Sequence, residues 1–135
     1  MSHAIDYRVG EAPAASDLWA LHQSSGEAPA ESEESLYRSV SQSTWIVTAW
    51  DGKRLVGLLH VLTDLVWVAY VQGFLVHPEF HHQGVGKELF DRYEDEFGHF
   101  RHQLIVTETD WVRVKFVKRG FHDEPAALSR WRHMV

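Results

Sequence analysis

FLVHPEFHHQGVGKELFDRYEDEFG, residues 74–98, reads as a buried strand, a short loop and an amphipathic helix. Phe74-Leu75-Val76 is an apolar run bounded at Pro78, which cannot donate to a sheet ladder. Val85, Leu89, Tyr93 and Phe97 recur every four residues beside Phe90, with charged residues elsewhere, which is the stripe of a helix packed on a core. Between them lies His81-His82-Gln83-Gly84-Val85-Gly86. A glycine loop entering a helix aims several unpaired N–H groups at one spot, and such a spot suits a phosphate or pyrophosphate.

Upstream, Ile5 to Val9 alternates as a first strand. Helices are expected over Pro13–Leu21 and Glu31–Gln42, the second opening on Ser32 and Ser35 as a cap. Thr44–Trp50 and Arg54–Thr63 are strands joined by a hairpin turn at Asp51-Gly52, and Leu65–Val76 is a third, longer strand. Downstream come a strand over Gln103–Thr107, a short helix over Trp111–Lys118 with Gly120 at its C′ position, and a final strand over Ala126–Val135. Antiparallel hairpins first, then strand–helix–strand–helix, point to one mixed α/β sheet with helices on both faces. No linker divides the chain, so residues 1–135 read as one domain.

Composition narrows the function. The chain has 135 residues, enough to bury a core without staples. It has no cysteine, which excludes disulfides, thiolate metal sites and a cysteine nucleophile. A formal charge of −6 argues against a nucleic-acid partner. No membrane partner is expected, since no apolar run approaches a span and the N-terminus does not read as a secretory signal; the expected location is the cytoplasm. His77, His81 and His82 are close in sequence, but Pro78 breaks the helix their spacing would need, so no metal is expected.

The element order and the central loop resemble the GNAT family of acetyl-CoA-dependent N-acetyltransferases. The family's Gln/Arg-x-x-Gly-x-Gly/Ala motif is matched by His81 to Gly86, with histidine in the place of Gln or Arg. Its Val-x-Pro is matched by Val76-His77-Pro78. Its Tyr-x-x-x-Gly-Phe is matched by Phe116-Val117-Lys118-Arg119-Gly120-Phe121, with phenylalanine in the place of tyrosine. The resemblance implies a GNAT fold, with a mostly antiparallel, splayed central sheet. It also implies acetyl transfer from acetyl-CoA to a primary amine of a small molecule or an exposed amino group, by direct attack in a ternary complex.

On that resemblance, His81, His82, Gln83, Gly84, Val85, Gly86 and Lys87 cradle the pyrophosphate. Phe74, Leu75 and Val76 carry the pantetheine arm along a free strand edge, and an N–H near Leu75 or Val76 polarises the thioester carbonyl. Thr109 and Phe116 also face the cofactor. Glu108 is the preferred base, being the only carboxylate among the candidates, with Tyr70 the second catalytic candidate. Trp19, Tyr37 and Gln72 line the acceptor pocket, while Trp45, Trp50, Trp67, Trp111 and Trp131 are expected mostly in the core and on strand surfaces. Phe116 has no proton for the leaving thiolate, which leaves open a second reading: a weak or inactive acyl-CoA-binding sensor or interaction module. The Leu128–Met134 edge is a candidate homodimer surface.

Overall fold

A computed structural model describes residues 4–26, 31–107, 109–123 and 127–130. The elements run β1 (Asp6–Val9), α1 (Ala15–Ser24), α2 (Glu33–Ser41), β2 (Trp45–Asp51), β3 (Arg54–Thr63), β4 (Val68–Val76), α3 (Val85–Phe97), β5 (His102–Ile105) and α4 (Asp110–Lys118), with a 3-10 turn over Pro78–Phe80 between β4 and α3. The strands lie in chain order in one sheet. The first three pairings are antiparallel, and β4 pairs with β5 in parallel. This is the mixed α/β sheet read from the sequence.

Strand alternation sorts the core into two layers. Val47, Leu59, Val61, Val71, Phe74 and Val76 face α3 and α4, where Leu89, Phe90, Tyr93 and Phe116 meet them. Ile46, Leu58 and Leu75 face α1 and α2, against Leu18, Leu21, Leu36 and Val40. Helices therefore cover both faces. The α3 stripe of Val85, Leu89, Tyr93 and Phe97 is buried as its spacing requires. In α2, Ser32 accepts from the Ser35 N–H and the Ser35 hydroxyl accepts from the Ser32 N–H, a closed capping box.

Several boundaries move for local reasons. The first hairpin turns on Gly52-Lys53, not Asp51-Gly52: Asp51 pairs with Arg54, and Gly52 has φ +61°. A left-handed first turn residue is what a two-residue type II′ loop needs. The third strand begins at Val68 rather than Leu65. The Asp64 carboxylate accepts from the N–H groups of Val66, Trp67 and Val68, which draws that stretch into a turn and leaves Leu65 at φ +66°. Of the C-terminal strand expected over 126–135, residues 127–130 form no strand, and the others lie outside the described residues. Leu128, on the surface considered for a dimer, is fully exposed.

Candidate active site

Two features of the sheet create an opening. A bulge separates His60 and Val61 of β3, so that Gln72 of β4 has no direct partner there. Immediately beyond it the fifth strand departs: pairing covers Val68–Val71 with His102–Ile105 and then stops. Gly73 to Val76 therefore have no β5 neighbour. The His77 N–H bonds to the Val56 carbonyl at 2.8 Å. Antiparallel alternation then turns Leu75 toward β3 and leaves the peptide groups of Phe74 and Val76 facing the gap. Of the two donors considered from the sequence, Leu75 and Val76, only the second lies on the free edge.

The glycine loop adjoins this edge. Pro78 opens the 3-10 turn, capped by His77, whose Nδ1 accepts from the Glu79 N–H at 3.1 Å. His82 and Gly84 then take left-handed φ values of 63° and 83°. Such residues turn successive N–H groups to one side, and the first N–H groups of α3 have no partner within the helix. Gly84 is the N-cap, and its conformation favours glycine. Gly86 is different. Its backbone is ordinary helix, and an added Cβ would stand 3.4 Å from Phe74 Cζ and 3.6 Å from Val76 Cγ2, an ordinary contact. No packing within the protein demands glycine at 86. What it provides is clearance between the helix's first turn and β4, which fits an extended anionic group passing there.

A groove of about 130 Å³ runs along this clearance, lined by Val76, His81, Gly84, Gly86, Trp111 and Lys115 among others. A hollow of about 200 Å³ lies elsewhere, between Arg8, Glu11 and Trp50, with neither a glycine loop nor a free strand edge. Two cations reach the groove. Lys87 holds Asp91 at 2.7 Å, and Arg119 holds the same carboxylate at 2.6 Å, so both bonds keep Asp91 below the usual carboxylate range. Lys115 comes from α4, its Cε 3.9 Å from where a Gly86 Cβ would stand. The His81 imidazole turns back toward the strand, its Nε2 giving a hydrogen bond to the Val76 carbonyl at 2.9 Å.

Phe116 does not line the groove. It is 1 % exposed, its ring packed against Phe74, Phe90 and Phe121. Thr109 caps α4, and Glu108 lies outside the described residues. From α4 the groove is met instead by Trp111 and Lys115. The sequence carried a signal for both: they are four apart, one position ahead of the buried pair Val112 and Phe116, so they share the neighbouring helix face.

On the opposite sheet face, Gln72 donates to Ser39 Oγ at 3.2 Å, and Ser43 Oγ donates to Gln72 Oε1 at 3.4 Å. Ser43 Oγ also meets Nδ1 of His60 at 2.8 Å. His60 is buried, and burial together with His22 pushes its pKa down to about 4. Its ring covers Gly73, since an added Cβ there would collide with His60 Nε2. Tyr70 is half-buried opposite Leu62 and Leu104, Trp19 is half-buried against the α1–α2 core, and Tyr37 is exposed on α2. Sequence reading passed over His60, although a lone imidazole in an apolar strand is itself a signal of a buried polar contact. No group of three or more metal-ligating side chains converges among the described residues. None of their helices is long and apolar enough to cross a membrane.

A strand edge freed where β5 departs, beside a left-handed glycine loop that caps a helix, is matched by a family model. The model of the acetyltransferase (GNAT) family covers residues 13–121. The chain belongs to the GNAT family. No curated protein matches its sequence. Among solved structures, a GNAT acetyltransferase from Streptococcus pneumoniae is 26 % identical, with TM-score 0.76, covering 96 % of this chain and 100 % of its own. A ribosomal-protein-alanine N-acetyltransferase from Brucella melitensis is 17 % identical, with TM-score 0.71, covering 95 % and 100 %. An aminoglycoside acetyltransferase, AAC(6′)-Iy, bound to a CoA bisubstrate analogue is 18 % identical, with TM-score 0.68, covering 96 % and 99 %. The last two share the fold, and this GNAT member has the acetyltransferase architecture over nearly its whole length.

Proposed function

We propose that the protein transfers an acetyl group from acetyl-CoA to a primary amine, on a small molecule or an exposed amino group, by direct attack in a ternary complex. The observation that carries this reading is the free β4 edge at Phe74 and Val76 lying against the loop from His82 to Lys87. The loop N–H groups, with the N-terminal charge of α3, suit the pyrophosphate. The edge suits the pantetheine amides, which pair with it as an added strand would. The Val76 N–H suits the thioester oxygen as negative charge develops.

The amine nitrogen bonds to the thioester carbon, the C–S bond breaks, and the nitrogen's proton passes to a base. Glu108 is the proposed base and Tyr70 the second candidate. Gln72, held by Ser39 and Ser43, cannot take a proton and serves to orient the acceptor. Trp19 and Tyr37 are assigned to the same pocket. The thiolate leaves without a proton from position 116, which chemistry tolerates for a thiol of ordinary pKa about 8.5. The Brucella and aminoglycoside enzymes are named for different acceptors, so the shared fold does not choose between a protein terminus and a sugar amine.

Thiol release from acetyl-CoA is expected with at least one member of an amine panel. Gly86→Ala is expected to keep the fold, and even to gain helix propensity of about 1 kcal/mol, while weakening CoA in calorimetry. A Gly86→Ala variant that bound CoA unchanged would remove the clearance argument. The burial of Phe116 favours one other reading, a CoA-binding module without turnover. Tight CoA binding with no thiol released by any amine would select it.

A further inference from the structure

We propose that His81 and Trp111 form an aromatic latch across the free edge of β4, and that the pantetheine arm of CoA displaces it on binding. The proposal rests on the reading of the groove as a CoA site. It adds what the groove's own side chains must do for CoA to enter.

The edge that an incoming arm must pair with is not bare. The carbonyl of Val76 faces the gap left by β5, and it already accepts the His81 Nε2–H at 2.9 Å. The His81 ring packs on Trp111, with centroids 4.8 Å apart at 49°. Trp111 in turn packs on Phe74, 5.7 Å away at 48°. The two rings thus bridge from the loop to α4 beside the strand residues that have no β5 partner. What remains open is about 130 Å³, against the roughly 300–1,000 Å³ of clefts that enclose organic ligands. An arm laid along Phe74 and Val76 must take the Val76 carbonyl from His81 and move Trp111 aside.

The parts that would move are weakly committed. Trp111 sits in the first turn of α4, half-buried, one position off the Val112–Phe116 stripe that anchors the helix to the core. His81 ends the 3-10 turn and precedes the left-handed His82, so its side chain is not held within a regular helix. Neither ring touches Phe90 or Phe121 directly; Trp111 meets that cluster through Phe74, which packs on Phe116. Closed, the latch covers the half of β4 that β5 leaves, which otherwise offers backbone groups to any passing chain. Displaced, Trp111 becomes a wall of the arm's channel.

The test uses CoA and its nucleotide moiety alone, adenosine 3′-phosphate 5′-diphosphate, with tryptophan emission and calorimetry on the intact protein. Both ligands are expected to bind, but only CoA is expected to change the emission. That change is expected to disappear in Trp111→Phe, while calorimetry still records CoA binding. His81→Ala removes a bond that the arm must break, so CoA is expected to bind about two- to tenfold more tightly, with the nucleotide unchanged. Equal emission changes in the wild type and Trp111→Phe would overturn the latch. So would a His81→Ala variant that weakens both ligands, because His81 would then serve the phosphates. If wild-type protein binds neither ligand, the CoA reading itself fails, and the latch with it.

Discussion

His60 shows how one residue ties the two halves of the sheet to solution conditions. Its ring is buried between Ser43, Gly73 and the helix carrying His22, and its pKa falls to about 4 from an ordinary 6.5. The folded protein therefore refuses a proton that the unfolded chain accepts. Above pH 6.5 neither state holds it and stability is unaffected. As the pH falls from 6.5 toward 4 the unfolded state gains the proton alone, a loss approaching 3 kcal/mol on the order of 1.4 kcal/mol per pH unit. Urea midpoints taken across that window should fall more steeply for the wild type than for His60→Gln; parallel slopes would show that His60 titrates alike in both states. The sequence displayed His60 openly, within Leu58-Leu59-His60-Val61. What covers it was not legible, because Gly73 and Ser43 arrive from other elements and the bulge sets their register.

At the scale of elements, the cap of α2 and the close of α4 were legible, since caps are local chemistry, whereas α1, expected over Pro13–Leu21, runs Ala15–Ser24 and starts with no side-chain cap. Gly120 takes φ +99°, its N–H bonds to the Val117 carbonyl and the Phe121 N–H to the Phe116 carbonyl, with the two phenylalanine rings 5.1 Å apart. That is a Schellman motif, and it explains physically why a Gly-Phe pair closes α4. The seating of α3 was not legible. A Cβ on Gly57 would stand 2.9 Å from Leu89 Cδ1, 3.0 Å from Val85 Cγ1 and 3.2 Å from Ala49 Cβ, so β3 lets the helix approach only because it has no side chain there. Gly57→Ala should lower stability by about 1–3 kcal/mol. A lowered urea midpoint with an unchanged slope checks it, and no change would mean that Leu89 and Val85 absorb the methyl by rotation.

For the molecule as a whole, the fold class followed from order: hairpins first, then a strand, a helix and a parallel strand. The glycine loop and the strand beside it were legible as adjoining parts of one candidate site because both are continuous in sequence. The groove's other wall was missed, because the Tyr-x-x-x-Gly-Phe motif drew attention to Phe116, while Trp111 and Lys115 lie one position ahead of the buried pair Val112 and Phe116. The parallel seam has a mechanical meaning too. The last strand is four residues long, none of them fully buried, and it holds to the sheet over four pairs, assisted by Gln103, which accepts from Tyr93 and donates to the carbonyls of Gly98 and Phe100. Amide hydrogen exchange should therefore resolve β5 and α4 as a cooperative unit that opens well below the global unfolding free energy, while β2 and β3 exchange only with it. Equal protection across the sheet would contradict this. A ligand bridging the seam would raise the opening free energy of that unit by about 2.7 kcal/mol at a hundredfold excess over its dissociation constant. The split in the sheet would then act as an expansion joint, and its filling would make the C-terminal third as slow to exchange as the rest.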